Sequence, residues 1–221
     1  MNTILRDLKS RGLNCTHIMD VGANTTSWSR IAKNHFPEAT FSLIEPQIEM
    51  EDRLKQFVQN HPGDNYYLVG VGSKKETLVL TIYDDYAGSS FLPNEDDKLK
   101  EKGKQREVEI STMDAIVAEN NLEIPQLVKL DIQGFELEAL RGATSYFGKT
   151  EVFILEVSLF AFGSGDKMPE FPEVIRFMED RGYVPYDFPG FLRRPYDGAL
   201  GQCDVCFVQE KGFLRATHQW K

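Results

Sequence analysis

Apolar residues along the chain follow two spacings, every second position over short runs and every third or fourth over longer ones. The first spacing belongs to strands and the second to amphipathic helices. Read this way, residues 3–10 form a short helix with Ile4, Leu5 and Leu8 on one face, and 17–21 a strand running into Gly22. Residues 27–36 form a helix stopped by Pro37, 40–44 a strand closing at Glu45-Pro46, and 47–59 another helix. Residues 66–71 and 78–83 follow as strand candidates, and 108–110 as a third. Thr112 caps a helix over 113–119, 127–130 is a compact apolar strand, and 135–141 is a helix closed by Gly142. Residues 152–157 read as a buried strand, 172–180 as a helix, and 183–187 with 205–208 as a last strand pair joined by a long loop. Strands alternating with helices build an α/β fold, a mainly parallel sheet with helices on both faces. Two strands in succession at the end add an antiparallel hairpin at the sheet edge.

No repeat, low-complexity tract or Pro/Gly/Ser-rich linker divides the chain, so residues 1–221 are expected to form a single domain. Within it, 1–15 carry the N-terminal helix, 84–106 a mobile loop or small lid, and 183–209 the terminal strand hairpin. A hydrophobic share of 41% supplies a full core, which excludes a largely disordered chain. The longest apolar runs fall far short of the ~18 residues that cross a bilayer, so no membrane span is expected. Arg6, Asp7, Lys9 and Arg11 interrupt the segment where a secretory signal would be apolar. Cys15, Cys203 and Cys206 are too few for a disulfide framework, and a reducing, cytoplasmic setting is expected. The net charge of −9 argues against a nucleic-acid partner held by its phosphates. Nothing in the pattern sets an oligomeric state.

Three segments bring chemistry to one edge of this sheet. Asp20-Val21-Gly22-Ala23-Asn24 ends the first strand, and ligands of parallel sheets bind outside the carboxyl ends of the strands. Gly22 lets the backbone approach a ligand without a Cβ, while Asp20 can accept hydrogen bonds or face a cation. An ordinary strand-to-helix turn would explain one glycine and one asparagine equally well. The three-glycine dinucleotide fingerprint is absent, and Thr25-Thr26 crowd the helix start, which argues against an NAD enzyme. Glu45 ends the second strand roughly twenty residues beyond Gly22, the offset at which an acid hydrogen-bonds a ribose. The third segment runs from Lys129 to Gly142. Its buried strand delivers Asp131 to the same edge, Gly134 allows a close turn, and Glu136 opens the following helix.

Taken in order, DVGAN at 20–24, Ile44-Glu45-Pro46, Gly88-Ser89-Ser90, Thr112-Met113-Asp114, KLDIQGFELEALRGA at 129–143, ILEVS at 154–158 and Gln202-x-Asp204-x-x-Phe207 resemble the FkbM family of S-adenosylmethionine-dependent methyltransferases. The resemblance covers roughly residues 17–209. It implies a class I, Rossmann-like methyltransferase fold of seven strands, one of them antiparallel. It also implies O-methylation of a hydroxyl on a sugar, glycan or polyketide-like small molecule. Two positions depart from the family pattern: Thr26 stands where a second glycine is usual, and Gln133 where an acid is usual. On this reading Asp20, Gly22, Ala23 and Asn24 form the cofactor turn, with Asp20 accepting from the amino-acid end of S-adenosylmethionine. Glu45, beside Pro46, holds the ribose, and Gly70 and Val71 flank the adenine. Asp131 stands where cofactor and acceptor meet and is the first candidate for the base, followed by Glu156 and then Asp204. Each carboxylate is also readable as a solvated or ion-paired strand terminus.

An alternative keeps the fold but not the turnover, a cofactor-binding or interaction module favoured by Thr26 and Gln133. Methylation of DNA or protein nitrogen finds no N-P-P-Y or D-P-P-Y run. His17, His35, His61 and His218 have no metal-ligand spacing, and Cys203 and Cys206 fall on a strand where such a pair faces opposite sides. A divalent ion on Asp131 with Glu156 or Asp204 is chemically compatible with magnesium but is not expected. The loop 187–201, with Phe188, Phe191, Arg193, Arg194 and Tyr196, is a candidate acceptor wall.

Overall fold

A computed structural model describes residues 1–93, 97–162 and 168–220. In chain order its strands are β1 (His17–Val21), β2 (Thr40–Ile44), β3 (Asn65–Tyr67), β4 (Gly70–Val71), β5 (Glu76–Thr81), β6 (Gln105–Ser111), β7 (Leu127–Leu130), β8 (Val152–Ser158), β9 (Tyr183–Arg193) and β10 (Leu200–Gln209). The main sheet has seven strands in the order β3-β2-β1-β7-β8-β10-β9. Strand β10 runs antiparallel to both of its neighbours, while the pairs from β3 through β8 are parallel. The strand and helix pattern implies this α/β sheet with its late hairpin, and the resemblance implies its class I methyltransferase form.

Alternation along each strand sends its side chains into two cores. Ile18, Phe41, Leu43, Leu127 and Ile154 meet the apolar faces of α1 (Asn2–Ser10), α2 (Ser27–His35) and α3 (Glu51–Gln59), including Leu8, Trp28 and Phe57. Met19, Val21, Val128, Phe153 and Leu155 face the opposite way, against α5 (Met113–Glu119), α6 (Glu136–Arg141) and α7 (Phe171–Glu179). Full burial of each large apolar side chain contributes about 1.5–3 kcal/mol, so both faces hold the sheet in place. Cys203 belongs to one core and Cys206 to the other, so the two thiols lie on opposite sides of β10. Among the described residues no helix is long and apolar enough to cross a membrane.

Four expectations change. The helix expected over 47–59 starts with a tight 3-10 turn, Ile48–Met50, before α3. The main-chain N–H of Gln47 donates to the Glu45 carboxylate at 3.0 Å, which pins the entry and delays the helix. The strand expected over 66–71 divides: β3 joins the main sheet, and β4 turns into a separate sheet of order β4-β6-β5. Strand periodicity reports faces but carries no information on the pairing partner. In the stretch 84–106, α4 (Asp97–Glu101) is helical, and residues 94–96 lie outside the described set. Thr81 and Ser90 exchange main-chain hydrogen bonds at 3.0 and 3.1 Å, so the chain between them closes as a loop. The loop expected over 187–201 is mostly strand, because β9 and β10 extend to a short turn. Pro185 and Pro189 hide that length in the sequence, yet an edge strand tolerates them, and three register shifts bend the pairing.

Candidate active site

A cavity of about 390 Å³ opens at the carboxyl ends of β1, β2 and β7, within the range of small-molecule sites. Gly22 sets its floor. The residue has φ +82°, and a Cβ there would lie 2.0 Å from the Asp131 carbonyl oxygen, so β1 and β7 approach too closely for any side chain. Asn24, at φ 42°, turns the chain so that its main-chain N–H donates to Glu45 Oε2 at 2.8 Å. Glu45 Oε1 accepts from the Gln47 main chain at 3.0 Å and from Gln47 Nε2 at 3.1 Å. One carboxylate thus fastens the turns after β1 and β2. Three of its roughly four lone-pair sites are engaged, leaving one for a ligand donor. Burial raises the proton affinity of Glu45 above the usual carboxylate range, against the three N–H groups that lower it.

Gln47 Nε2 also donates to the Tyr86 carbonyl at 3.0 Å, while Gln47 Oε1 is buried without a hydrogen-bond partner. Pro46, Gly70 and Val71 line the cavity as expected, joined by Val69, Leu80 and Phe91 in an apolar slot. Asp85, Ala87, Gly88 and Ser89 also line the cavity. An open site on Glu45, an orphaned acceptor on Gln47 and an apolar slot beside them fit a molecule carrying hydroxyls and a flat ring.

Asp20 corrects an expectation. Its carboxylate is fully buried on the α2 side and does not line the cavity. Oδ2 accepts from Ser29 Oγ, and Oδ1, without a hydrogen-bond partner, lies 3.9 Å from Lys129 Nζ. Burial raises its proton affinity, with Lys129 opposing. Strand alternation accounts for this, since Asp20 shares a face with Ile18 and points into the sheet-helix layer rather than past the strand end. Ala23 likewise packs into the core beneath α2. Thr26 does not crowd the cleft, because it is fully buried in a left-handed conformation and its hydroxyl accepts from Arg30 Nε at 3.1 Å.

On the same sheet face, β7, β8 and β10 carry a polar cluster. Lys129 Nζ donates to Asp131 Oδ2 at 3.0 Å, and Gln133 Nε2 to Asp131 Oδ1 at 3.0 Å. Gln133 Nε2 also reaches Glu156 Oε2 at 2.7 Å, where Gln202 Nε2 donates at 3.0 Å. Burial first, and then the charges of Asp131, Glu136 and Asp204, push Glu156 up to about 8. Glu136, buried and bound to the Ile132 N–H, is pushed up by burial to about 7. Burial also raises Asp204, which stands directly opposite Glu156 in the β8–β10 register. Like charges opposite one another destabilise a sheet, and here protonation, Lys129 and the two amides together relieve the repulsion. Clusters maintained against such a cost concentrate at functional sites.

Asp131 and Glu156 reach the cavity, whereas Asp204 does not. Its Oδ2 sits where a Cβ on Gly190 of β9 would be, 1.9 Å away. Both Asp131 oxygens are taken by nitrogen donors, and among the described residues no three acid, histidine or cysteine side chains form a metal site. Of the hairpin residues suggested as an acceptor wall, Phe188 and Phe191 stack outside the cleft and Tyr196 is exposed, while Leu192 lines it. Gln47, Gln133 as a bridge, and Gln202 as a donor are site residues that the sequence did not assign. Gln202 had a usable signal, because it lies two positions before Asp204 and shares its sheet face.

The reversed strand near one sheet edge, with a cleft at the carboxyl ends of β1, β2 and β7, is the class I methyltransferase fold. Among solved structures, a Burkholderia thailandensis 1,6-didemethyltoxoflavin-N1-methyltransferase with bound S-adenosylhomocysteine superimposes with TM-score 0.50 at 10% identity, covering 94% of this chain and 76% of that one. The bifunctional kinase-methyltransferase WbdD gives 0.53 at 14% identity, over 94% of this chain and 38% of that one. A profile of the methyltransferase FkbM domain matches residues 20–185, and the chain belongs to the FkbM methyltransferase family. Methyltransferase 1 of Beauveria bassiana (strain ARSEF 2860) is 25% identical over 142 residues, 57% of each chain. Methyltransferase sdnD of Sordaria araneosa is 29% identical over 153 residues, 57% of this chain and 59% of that protein. This chain therefore spans less than two thirds of either relative.

Proposed function

We propose that the protein methylates a hydroxyl on a sugar, glycan or polyketide-like small molecule, with Glu156 as the base. The observation that carries this reading is a carboxyl of raised proton affinity, about 8, at the cleft wall and held there by two amides. A base works best when its proton affinity lies near the working pH, and an alcohol needs such help where an amine free base does not. S-adenosylmethionine, when bound, supplies an electrophilic methyl group on a positively charged sulfur. Glu45 and the free Gln47 Oε1 would accept from its hydroxyl and amino groups, and Gly70 and Val71 would flank its ring. Asp131 would face the positive charge. Gln133 and Gln202 both donate to Glu156 Oε2 and so orient the carboxylate, leaving Oε1 to take the proton, and Asp204 acts from behind by raising its proton affinity. The acidic balance supports a substrate other than nucleic acid, and the three buried thiols fit a reducing cytoplasm.

The test uses methyl-labelled S-adenosylmethionine with a panel of neutral sugars, glycosides and hydroxylated polyketides. The expected product holds its label through mild alkali and shows an O-methyl ether by proton NMR. Label released by alkali as an ester, or found on nitrogen, would overturn the reading.

A further inference from the structure

We infer that Lys129 sets how strongly the cleft prefers a positively charged donor to the neutral product left when the methyl group has gone. It is a positioning residue that acts through Asp131. The inference rests on the methyl-transfer reading, which uses Asp131 but gives Lys129 no part, and adds to it the control of charge at that site.

Lys129 lies on the central strand of the main sheet, opposite Asp20 of β1 on one side and Ile154 of β8 on the other. Only 6% of the residue is exposed, and Leu127, two positions earlier on the same strand face, is wholly buried. A buried ion pair at such a position seldom adds stability over apolar side chains of similar size. Its presence here points to a task other than holding the sheet together. Lys129 Nζ donates to Asp131 Oδ2 at 3.0 Å and lies 3.9 Å from Asp20 Oδ1. The two carboxylates sit differently. Asp20 is sealed in the core, whereas 33% of the Asp131 side chain is open and lines the cleft. Burial works against the ammonium, but Asp131 and Asp20 outweigh it, and its proton affinity rises above the ordinary lysine range. Lys129 therefore stays charged at neutral pH, directly behind a carboxylate that a ligand meets.

S-adenosylmethionine and S-adenosylhomocysteine differ by one methyl group and one positive charge on sulfur. The acids lining the cleft, Asp131 among them, favour the charged form. Unchecked, that preference would stabilise the donor before reaction more than the transition state, in which the sulfur is already losing its charge, and transfer would slow. Lys129 tempers the field of Asp131 from the core side, where charges are weakly screened.

The experiment titrates S-adenosylmethionine and S-adenosylhomocysteine separately into the native protein and into Lys129→Met. The ratio of the two affinities should move at least about fivefold towards S-adenosylmethionine in the variant, with S-adenosylhomocysteine bound within about threefold of native. A side chain that served only as a prop would move both affinities together and leave the ratio unchanged. Because Lys129→Met strands Asp20 in the core, the second variant adds Asp20→Asn, and it should shift the ratio the same way by at least about twofold. Lys33→Met is the control. It breaks another buried pair, Lys33 Nζ to Asp64 Oδ1 at 3.0 Å, and Asp64 accepts from the Phe41 N–H at the end of β2 away from the cleft. Its ratio should match that of the native protein. An unchanged or reversed ratio in the Lys129 variants, or an equal shift in Lys33→Met, overturns the inference and leaves the methyl-transfer reading in place. A native protein that binds neither ligand removes that reading, and this inference with it.

Discussion

Replacing Glu156 with glutamine is expected to lower kcat by about 10²–10³-fold, the size of effect a positioned base contributes. The amide keeps the shape of the side chain but cannot take the acceptor proton. S-adenosylhomocysteine affinity should stay within about threefold, because Glu45, Gln47 and the Gly22 turn are untouched. The pH profile separates a base from a spacer. Glu156 must be ionised to accept a proton, and its carboxyl is pushed up to about 8. In the native enzyme kcat/KM should therefore climb as pH rises through about 8 and level off above it, with neighbouring carboxyls contributing to one shared transition. Folding shows the same group with the opposite trend. A carboxyl raised in the folded state favours folding while protonated, so its contribution is full below the ordinary range near 4.5 and lost as pH rises past about 8. Glu156→Gln should flatten both dependences. A variant that is slow yet keeps the native acid limb would assign the base to another residue.

Gly22→Ala is expected to cost about 2–5 kcal/mol, a large part of the ~5–15 kcal/mol that holds a domain folded. Two effects add. A side chain at φ +82° costs about 1–2 kcal/mol in an L-residue. The new Cβ, 2.0 Å from the Asp131 carbonyl oxygen, must also push β1 and β7 apart, worth about 1–3 kcal/mol. Gly63→Ala is the control, because φ there is +98° but the nearest atom, Thr40 Cγ2, is 3.4 Å away. It should lose only the conformational part, about 1–2 kcal/mol in urea unfolding. Equal losses in the two variants would show that the approach of β1 to β7 is not what demands glycine. Any Gly22→Ala protein that folds should also lose cofactor affinity, since the Asp131 turn shifts with the strand.

The parts of the fold that were legible are those where a local pattern and its tertiary role coincide. Buried parallel strands read as short apolar runs, and the acid or glycine at each end reads as a turn, so β1, β2, β7 and their order along the chain follow from spacing. The class of sheet follows from the late strand pair. The divided 66–71 segment did not follow, because pairing with β6 is a long-range choice that period two does not encode. The long hairpin was hidden by Pro185, Pro189 and Gly190, residues that an edge strand with bulges tolerates. In the site, Glu45 and Asp131 were readable as acids at strand ends. The burial of Asp20 was latent in strand alternation, which puts it beside Ile18, but its nearness to Gly22 pointed to the cleft instead. Gln133 looked like the loss of a charge. Its role as a donor shared by Asp131 and Glu156 emerges only when the β7 turn is set beside β8.

The cleft between Gly22 and the Glu45–Gln47 turn is the proposed seat of the methyl donor. Isothermal titration of S-adenosylhomocysteine into the native protein and into Gln47→Leu tests it most directly. Saturable binding at one site per chain is expected, weakened about tenfold or more when the free Gln47 acceptor is removed. A native protein that takes up no S-adenosylhomocysteine would contradict it, and so would a Gln47→Leu variant that binds it equally well.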